Sequence, residues 1–234
     1  MTLIQNYRYN PFKLPLNVVA SYLRLGTKYD MAKFRKKAVE LLVYEYPATF
    51  EEFDMIYHYS RIERSPSFAE DFFSVIELAH KHDLPRVLPW AYTAVCQYLP
   101  LKEIIGSKGS VQLSHKDQQK CVLGREALIR MQRHTTFAWL TANDRTYSPC
   151  RREFCRNGRQ AILMHNFYQL EDLSGRQPFR SECIPVTEWD KKWKKSMCEH
   201  CVEVAKGLHQ EGLQKTWDAL PSIFGLPEWD ELTK

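Results

Sequence analysis

Glycine is scarce in this chain, nine of 234 residues, and neither GxGxxG nor GxxxxGKS/T occurs. That excludes the glycine-rich loops that cradle dinucleotides and nucleoside triphosphates. Long apolar runs are also missing: Lys, Arg, Glu or Tyr interrupts every apolar stretch well short of the roughly 18 to 20 residues of a membrane-spanning helix. No membrane partner is expected. Met1 to Lys13 contains no apolar stretch followed by a small-residue cleavage site, so the expected location is intracellular, cytoplasmic or nuclear, with thiols kept reduced. Catalytic signatures are absent too. There is no GxSxG elbow, no HExxH, and no carboxylate pair for which a spatial partner can be named. His80 and His82 flank Lys81 at a helix end, where positive charge suits the negative helix pole, and His58, His115, His134, His165 and His209 occur singly. The expectation is no enzyme, with no catalytic and no cofactor-binding residue.

The charge excess is small. Thirty-three Lys and Arg against 28 Asp and Glu leave +5, too mild for a dedicated nucleic-acid-binding domain. With 44% hydrophobic residues the chain can build real cores, which excludes wholesale disorder. The apolar residues recur at three and four rather than at two, and no strand-like alternation of useful length is present. The pattern predicts an all-α protein, an irregular helical bundle.

A helix is expected from Pro15 to Gly26 on Leu16, Val19, Ala20 and Leu23, and Asp30 is expected to cap a second helix that Pro47 stops. Thr49 and Glu52 have capping-box spacing, as do Ser67 and Glu70; Asp83 is expected to cap the helix after it. Ser114 with Asp117 starts a helix over residues 115–133. A basic helix covers Arg151 to Tyr168, and a last long helix runs from Val186 to His209 on Trp189, Trp193, Met197, Cys201, Val204 and Leu208. Trp217, Leu220, Phe224, Leu226 and Trp229 form an aromatic tail expected to pack back over the preceding helices.

The segment LPLNVVASYLRLGTKYDMAKFRKKAVELL, Leu14 to Leu42, resembles the last helical hairpin of a BTB/POZ domain, with Gly26, Lys28, Tyr29 and Asp30 at its turn. The continuation EYPATFEEFD, AHKHDLPRVLPWAYTAVC, DQQKCVLGREAL, CEHC and WDALPSIFGLP is similar to the helical C-terminal half of fungal BTB/POZ proteins. This resemblance implies three segments: residues 1–46, a remnant of the BTB C-terminal helices; 47–140, a helical extension; and 141–234, a cysteine-containing module, the last two BACK-like. It implies a protein–protein interaction adaptor with an unidentified protein partner. A cullin-type ligase scaffold is expected as partner only if the BTB core is supplied elsewhere, because thirteen residues before the hairpin are too few to build that core. Two other readings stand beside it. One is a basic nucleic-acid- or chromatin-associated module; the other is a degenerate fragment lacking its dimerisation half, in which Leu16, Val19 and Leu23 would lie uncovered.

Seven cysteines, an odd number, argue against a complete disulfide framework. Cys150 and Cys155 form one close pair, Cys198 and Cys201 another, so two pairs can bring four thiolates to one ion. Zinc suits four thiolates because it accepts tetrahedral sulfur. The similar fungal proteins carry cysteine pairs in corresponding places. The competing reading makes Cys201 a small hydrophobe on the apolar stripe of the last helix. His200 is a substitute ligand that points about 100° away from Cys201. Cys96 and Cys121 read as core residues. Arg145, Arg151, Arg152, Arg156 and Arg159, with Lys191, Lys192, Lys194 and Lys195, gather basic charge near the two pairs, and the spacing of Trp189 and Trp193 places them in a core with the lysines solvated.

Overall fold

The computed structural model describes residues 13–56, 60–65, 68–106, 109–141, 150, 152–167 and 189–234. The protein is all-α: among the described residues there are twelve α-helices and two strands of two residues each. Its packing divides into two compact units, Met1–Ala91 with Gly109–Gln112, and Tyr92–Lys108 with Leu113–Leu232.

In the first unit, α1 (Leu16–Lys28) and α2 (Ala32–Glu45) form an antiparallel hairpin. Leu16, Val19 and Leu23 are buried, as are Ala38, Leu41 and Leu42 opposite, so the stripe left uncovered in the fragment reading is enclosed. Gly26 sets the closeness of the two helices: a Cβ there would stand 2.6 Å from the backbone nitrogen of Arg35. The turn between them is made by Asp30 at φ 52°. The amide of Met31 donates to the Gly26 carbonyl at 2.9 Å, five residues back, which closes the end of α1 with a left-handed residue just past it. Asp30 therefore terminates α1 and does not cap α2, whose N-cap is Met31.

Asp83 repeats the arrangement, with φ 55° and the Leu84 amide donating to Ala79 at 2.9 Å, so it ends α4 (Phe68–Lys81) and does not start the next element. Aspartate tolerates the left-handed region better than most residues, and the same short polar side chain suits both helix ends. The structure corrects both expected caps.

The Thr49/Glu52 capping box at α3 (Phe50–Ile56) is present: the Glu52 amide donates to Thr49 Oγ1 at 3.1 Å and the Thr49 amide to Glu52 Oε2 at 3.3 Å. Ser67 lies outside the described residues, and Glu70 accepts from the Ser110 hydroxyl at 3.1 Å. β1 (Leu14–Pro15) pairs in parallel with β2 (Ile62–Glu63), Leu14 opposite Ile62. Beside them the buried Glu45 carboxylate accepts from Ser60 Oγ at 2.7 Å and from the Arg61 amide at 3.1 Å, with the Arg64 guanidinium 3.7 Å away. Stripping these partners from a buried carboxylate would cost about 3 to 5 kcal/mol.

α5 (Leu88–Tyr98) follows a 3-10 turn at Pro85–Val87. In the second unit, α6 (Leu101–Gly106) leads to α7 (His115–His134), which starts as expected, the Asp117 amide donating to Ser114 Oγ at 3.2 Å. Asp117 also accepts the buried Tyr92 hydroxyl. Arg125 is buried and donates to the carbonyls of Cys96 and Leu99 at 2.9 and 2.8 Å, so a cation closes the C-terminal end of α5. Cys96 and Cys121 are core residues, the Cys96 thiol donating to the Cys121 carbonyl.

α8 (Ala138–Thr141) and α9 (Glu153–Phe167) precede the cysteine-bearing end of the chain. The long helix expected over residues 186–209 is not what forms. Among the described residues, a 3-10 turn at Trp193–Ser196 is followed by an extended Cys198, and α10 runs from Glu199 to Asp218. Steps of four from Trp189 through Trp193 and Met197 to Cys201 are met equally by this broken path, which keeps all four side chains inward. Within α10, Gly212 lets the helix backbone press on Thr135 and Thr136, and Thr216 Oγ1 meets Thr135 Oγ1 at 2.8 Å. The tail, α11 (Leu220–Ile223) and α12 (Trp229–Leu232), buries Trp217, Leu220 and Phe224, and stacks Trp229 on Trp217 at 6.1 Å. The expected packing of the tail is present.

Candidate metal centre

Cys155 sits in the first turn of α9, five residues after Cys150. Cys198 is the N-cap of α10 and Cys201 lies in that helix's first turn, so the two sulfurs face one side. The break before α10 brings the segments together. Gly158 on α9 packs directly against the Ser196 carbonyl, where a Cβ would overlap it, and this close approach holds the 3-10 turn, hence Cys198, beside Cys155.

The result is a cluster of four thiols. The sulfurs of Cys150, Cys155, Cys198 and Cys201 all lie within 4.8 Å of one another. Cys150 Sγ and Cys198 Sγ are 3.8 Å apart, far beyond the roughly 2.05 Å of a disulfide, and all four thiols are free. A tetrahedron of sulfurs each about 2.3 Å from a central ion has edges of about 3.8 Å. The Cys150–Cys198 edge matches that value, and small rotamer adjustments would bring in the others. Four close cysteines can hold a metal ion here.

The electrostatics of the four differ. At the start of α10 the backbone N–H of Cys201 lies on the Cys198 side of the helix, and its influence draws the Cys198 thiol down to about 7. Burial pushes Cys155 upward, against the pull of the Cys198 amide, which donates to its sulfur at 3.2 Å. Burial also raises Cys201 strongly. Two buried thiols thus resist ionisation alone, and a divalent cation among them would supply the missing counter-charge.

The surrounding shell is aromatic. Cys155 and Cys201 belong to a core with Phe137, Trp139, Leu140, Ile162, Trp193 and Met197. His209 is buried in it, its Nδ1 accepting from the Trp139 indole at 3.3 Å and its ring 5.7 Å from that of Trp193. The sequence offered one signal for His209: it stands eight residues after Cys201, on the same helix face. His200 is exposed and outside the thiol cluster.

Lys191, Lys192, Lys194 and Lys195 are exposed, as are Arg152 and Arg156, while Trp193 is buried and Trp189 packs against the core. Arg159 departs from this pattern and is buried. Arg145 and Arg151 lie outside the described residues. Comparisons with protein-family models, curated proteins and solved structures each give no match to this chain.

Proposed function

We propose that this chain is a non-enzymatic interaction protein, an adaptor whose second unit is closed by one structural zinc ion on Cys150, Cys155, Cys198 and Cys201. The observation that carries the metal is the convergence of four sulfurs within 4.8 Å from segments that are 43 residues apart. Four thiolates with no open position favour zinc over magnesium or calcium, which take oxygen ligands, and leave no coordination site for a reacting water. Such an ion ties α9 to the start of α10 and stabilises a surface without performing chemistry. The adaptor role is supported by the resemblance of Leu14 to Leu42 and the following helices to BTB/POZ and BACK-like segments.

Two measurements test the reading. Metal analysis of purified protein is expected to give about one zinc per chain, lost in Cys198→Ser. Affinity capture with mass spectrometry, run with and without a chelator, is expected to retrieve protein partners. Capture of nucleic acid alone, with steep salt dependence and loss in Lys191→Glu/Lys194→Glu, would replace the adaptor by the nucleic-acid-binding module.

A further inference from the structure

The whole net charge of the protein sits on the tip of the α1–α2 hairpin. Arg24 to Lys37 contain six basic residues, Arg24, Lys28, Lys33, Arg35, Lys36 and Lys37, against the single acid Asp30. Thirty-three less six leaves 27 basic residues elsewhere, and 28 less one leaves 27 acidic, so the rest of the chain is balanced. All six cations are exposed. Among them stand four large apolar side chains that are also exposed: Leu25 at 47%, Tyr29 at 60%, Met31 at 42% and Phe34 at 39%.

Stability does not call for either feature. Lys33 and Arg35 lie in the first turn of α2, at the positive pole of its dipole, where carboxylates are favoured and where this helix has none. Lys36 has Glu40 at 4.0 Å, an exposed pair worth little. Local electrostatic rules are broken on a surface that is rigidly built, with α1 and α2 in backbone contact at Gly26 and the turn fixed by Asp30. Such violations mark functional surfaces.

We infer that this hairpin tip is a docking surface for an acidic segment of a partner protein that also carries leucine or aromatic side chains. Charge complementarity selects the acidic partner, and exposed Tyr29, Met31 and Phe34 amid cations have the composition of an interface anchor. The placement of charge argues against insertion into a bilayer. At 100° per residue, Lys33, Arg35, Lys36 and Lys37 surround the helix on most sides of Phe34, leaving no broad uncharged face to bury in lipid. The inference deepens the interaction reading above and rests on it. It does not depend on the metal.

The test uses the full chain and a fluorescein-labelled synthetic peptide in which Asp and Glu alternate with Leu and Phe, followed by fluorescence anisotropy. Binding is expected to weaken by about tenfold or more in Lys33→Glu/Lys36→Glu, and several-fold in Tyr29→Ala. Phe34→Ala is expected to act likewise, but Phe34 also packs on Tyr22 at 5.0 Å, so the more exposed Tyr29 separates binding from folding. Lys191→Glu/Lys194→Glu is expected to leave the affinity unchanged. The inference is overturned by equal binding of an Asp/Glu peptide lacking Leu and Phe, by tip variants that bind as wild type, or by tighter retention on phosphatidylserine vesicles or duplex DNA than on the peptide. Any of these results leaves the adaptor reading standing, because that reading fails only when affinity capture retrieves no protein partner.

Discussion

Replacing Cys198 by serine isolates the metal from the helix start it sits on. Position 198 is the N-cap of α10 and serine is a preferred N-cap residue, so the head of the helix is preserved while the ion loses a soft ligand. The magnitude follows from chain topology. A zinc ion joins positions that are 43 residues apart, and cross-linking a loop of that size removes about 4 kcal/mol of unfolded-chain entropy. For a unit of this size that corresponds to a fall in Tm of about 10 °C. Scanning calorimetry or circular dichroism with and without a chelator reads it directly. Wild type is expected to lose about 10 °C on chelation and Cys198→Ser to lose the same amount at the outset, with no further response to chelator. Tryptophan emission should shift to the red in step, since Trp139, Trp189 and Trp193 line the adjoining core. Equal zinc content in both proteins, or equal destabilisation of both by chelator, refutes the four-sulfur site.

Two glycines should respond to alanine with opposite signs. Gly158→Ala is expected to destabilise by about 1 to 3 kcal/mol and to reduce zinc occupancy, because the new Cβ overlaps the Ser196 carbonyl two residues before Cys198. Gly207→Ala, in mid-α10 with nothing within 4 Å, should stabilise by up to about 1 kcal/mol; thermal melts of the pair check both. Tyr92→Phe removes the hydroxyl that Asp117 accepts and should cost about 1 to 3 kcal/mol by urea unfolding, a buried acceptor having lost a donor. His82 gives a pH dependence. Burial first, then Lys81, Arg24 and Arg35, hold its imidazole below the ordinary value of 6.5. Its contribution to stability is complete above about 6.5 and is lost as pH falls through that value toward the depressed folded one, since the unfolded chain then binds the extra proton. The geometry agrees: Thr27 Oγ1 donates to the Leu23 carbonyl, so His82 Nδ1 is the donor in their 3.1 Å contact and Nε2 is left buried without a hydrogen-bond partner. Tm should fall between pH 7.5 and 5.5, and His82→Gln should flatten that fall.

What could be read from the residues alone was local or compositional. Thr49 with Glu52 and Ser114 with Asp117 are caps whose partners lie three residues away, so spacing suffices to find them. The four-cysteine cluster was legible for a different reason: two close pairs in a chain with little other thiol chemistry leave few arrangements. Asp30 and Asp83 were misread because a short acid before a helix is equally at home just past the previous one, and the deciding bonds, Met31 to Gly26 and Leu84 to Ala79, are backbone bonds with no side-chain signature. The break before α10 was invisible because a period near four cannot distinguish a continuous helix from a 3-10 turn joined to an extended residue, and because cysteine is not among the usual N-caps.

Buried polar groups account for the remainder, and they show why charge type is a poor guide to exposure in this protein. Arg125 holds the last carbonyls of α5, and Glu45 collects Ser60 and Arg61. Asp117 joins Tyr92 to the head of α7, and His209 takes the Trp139 indole. Apart from the Ser114 cap, each partner lies 15 or more residues away in sequence, so these pairings do not follow from periodicity. Arg125 and Glu45 spend their charge on backbone groups at helix ends and chain crossings, which sheet hydrogen bonding would otherwise have satisfied. An irregular helical chain has many such ends. The surface charge left after these assignments is nearly balanced outside Arg24 to Lys37, and it is this contrast, more than the total of +5, that singles out the hairpin tip.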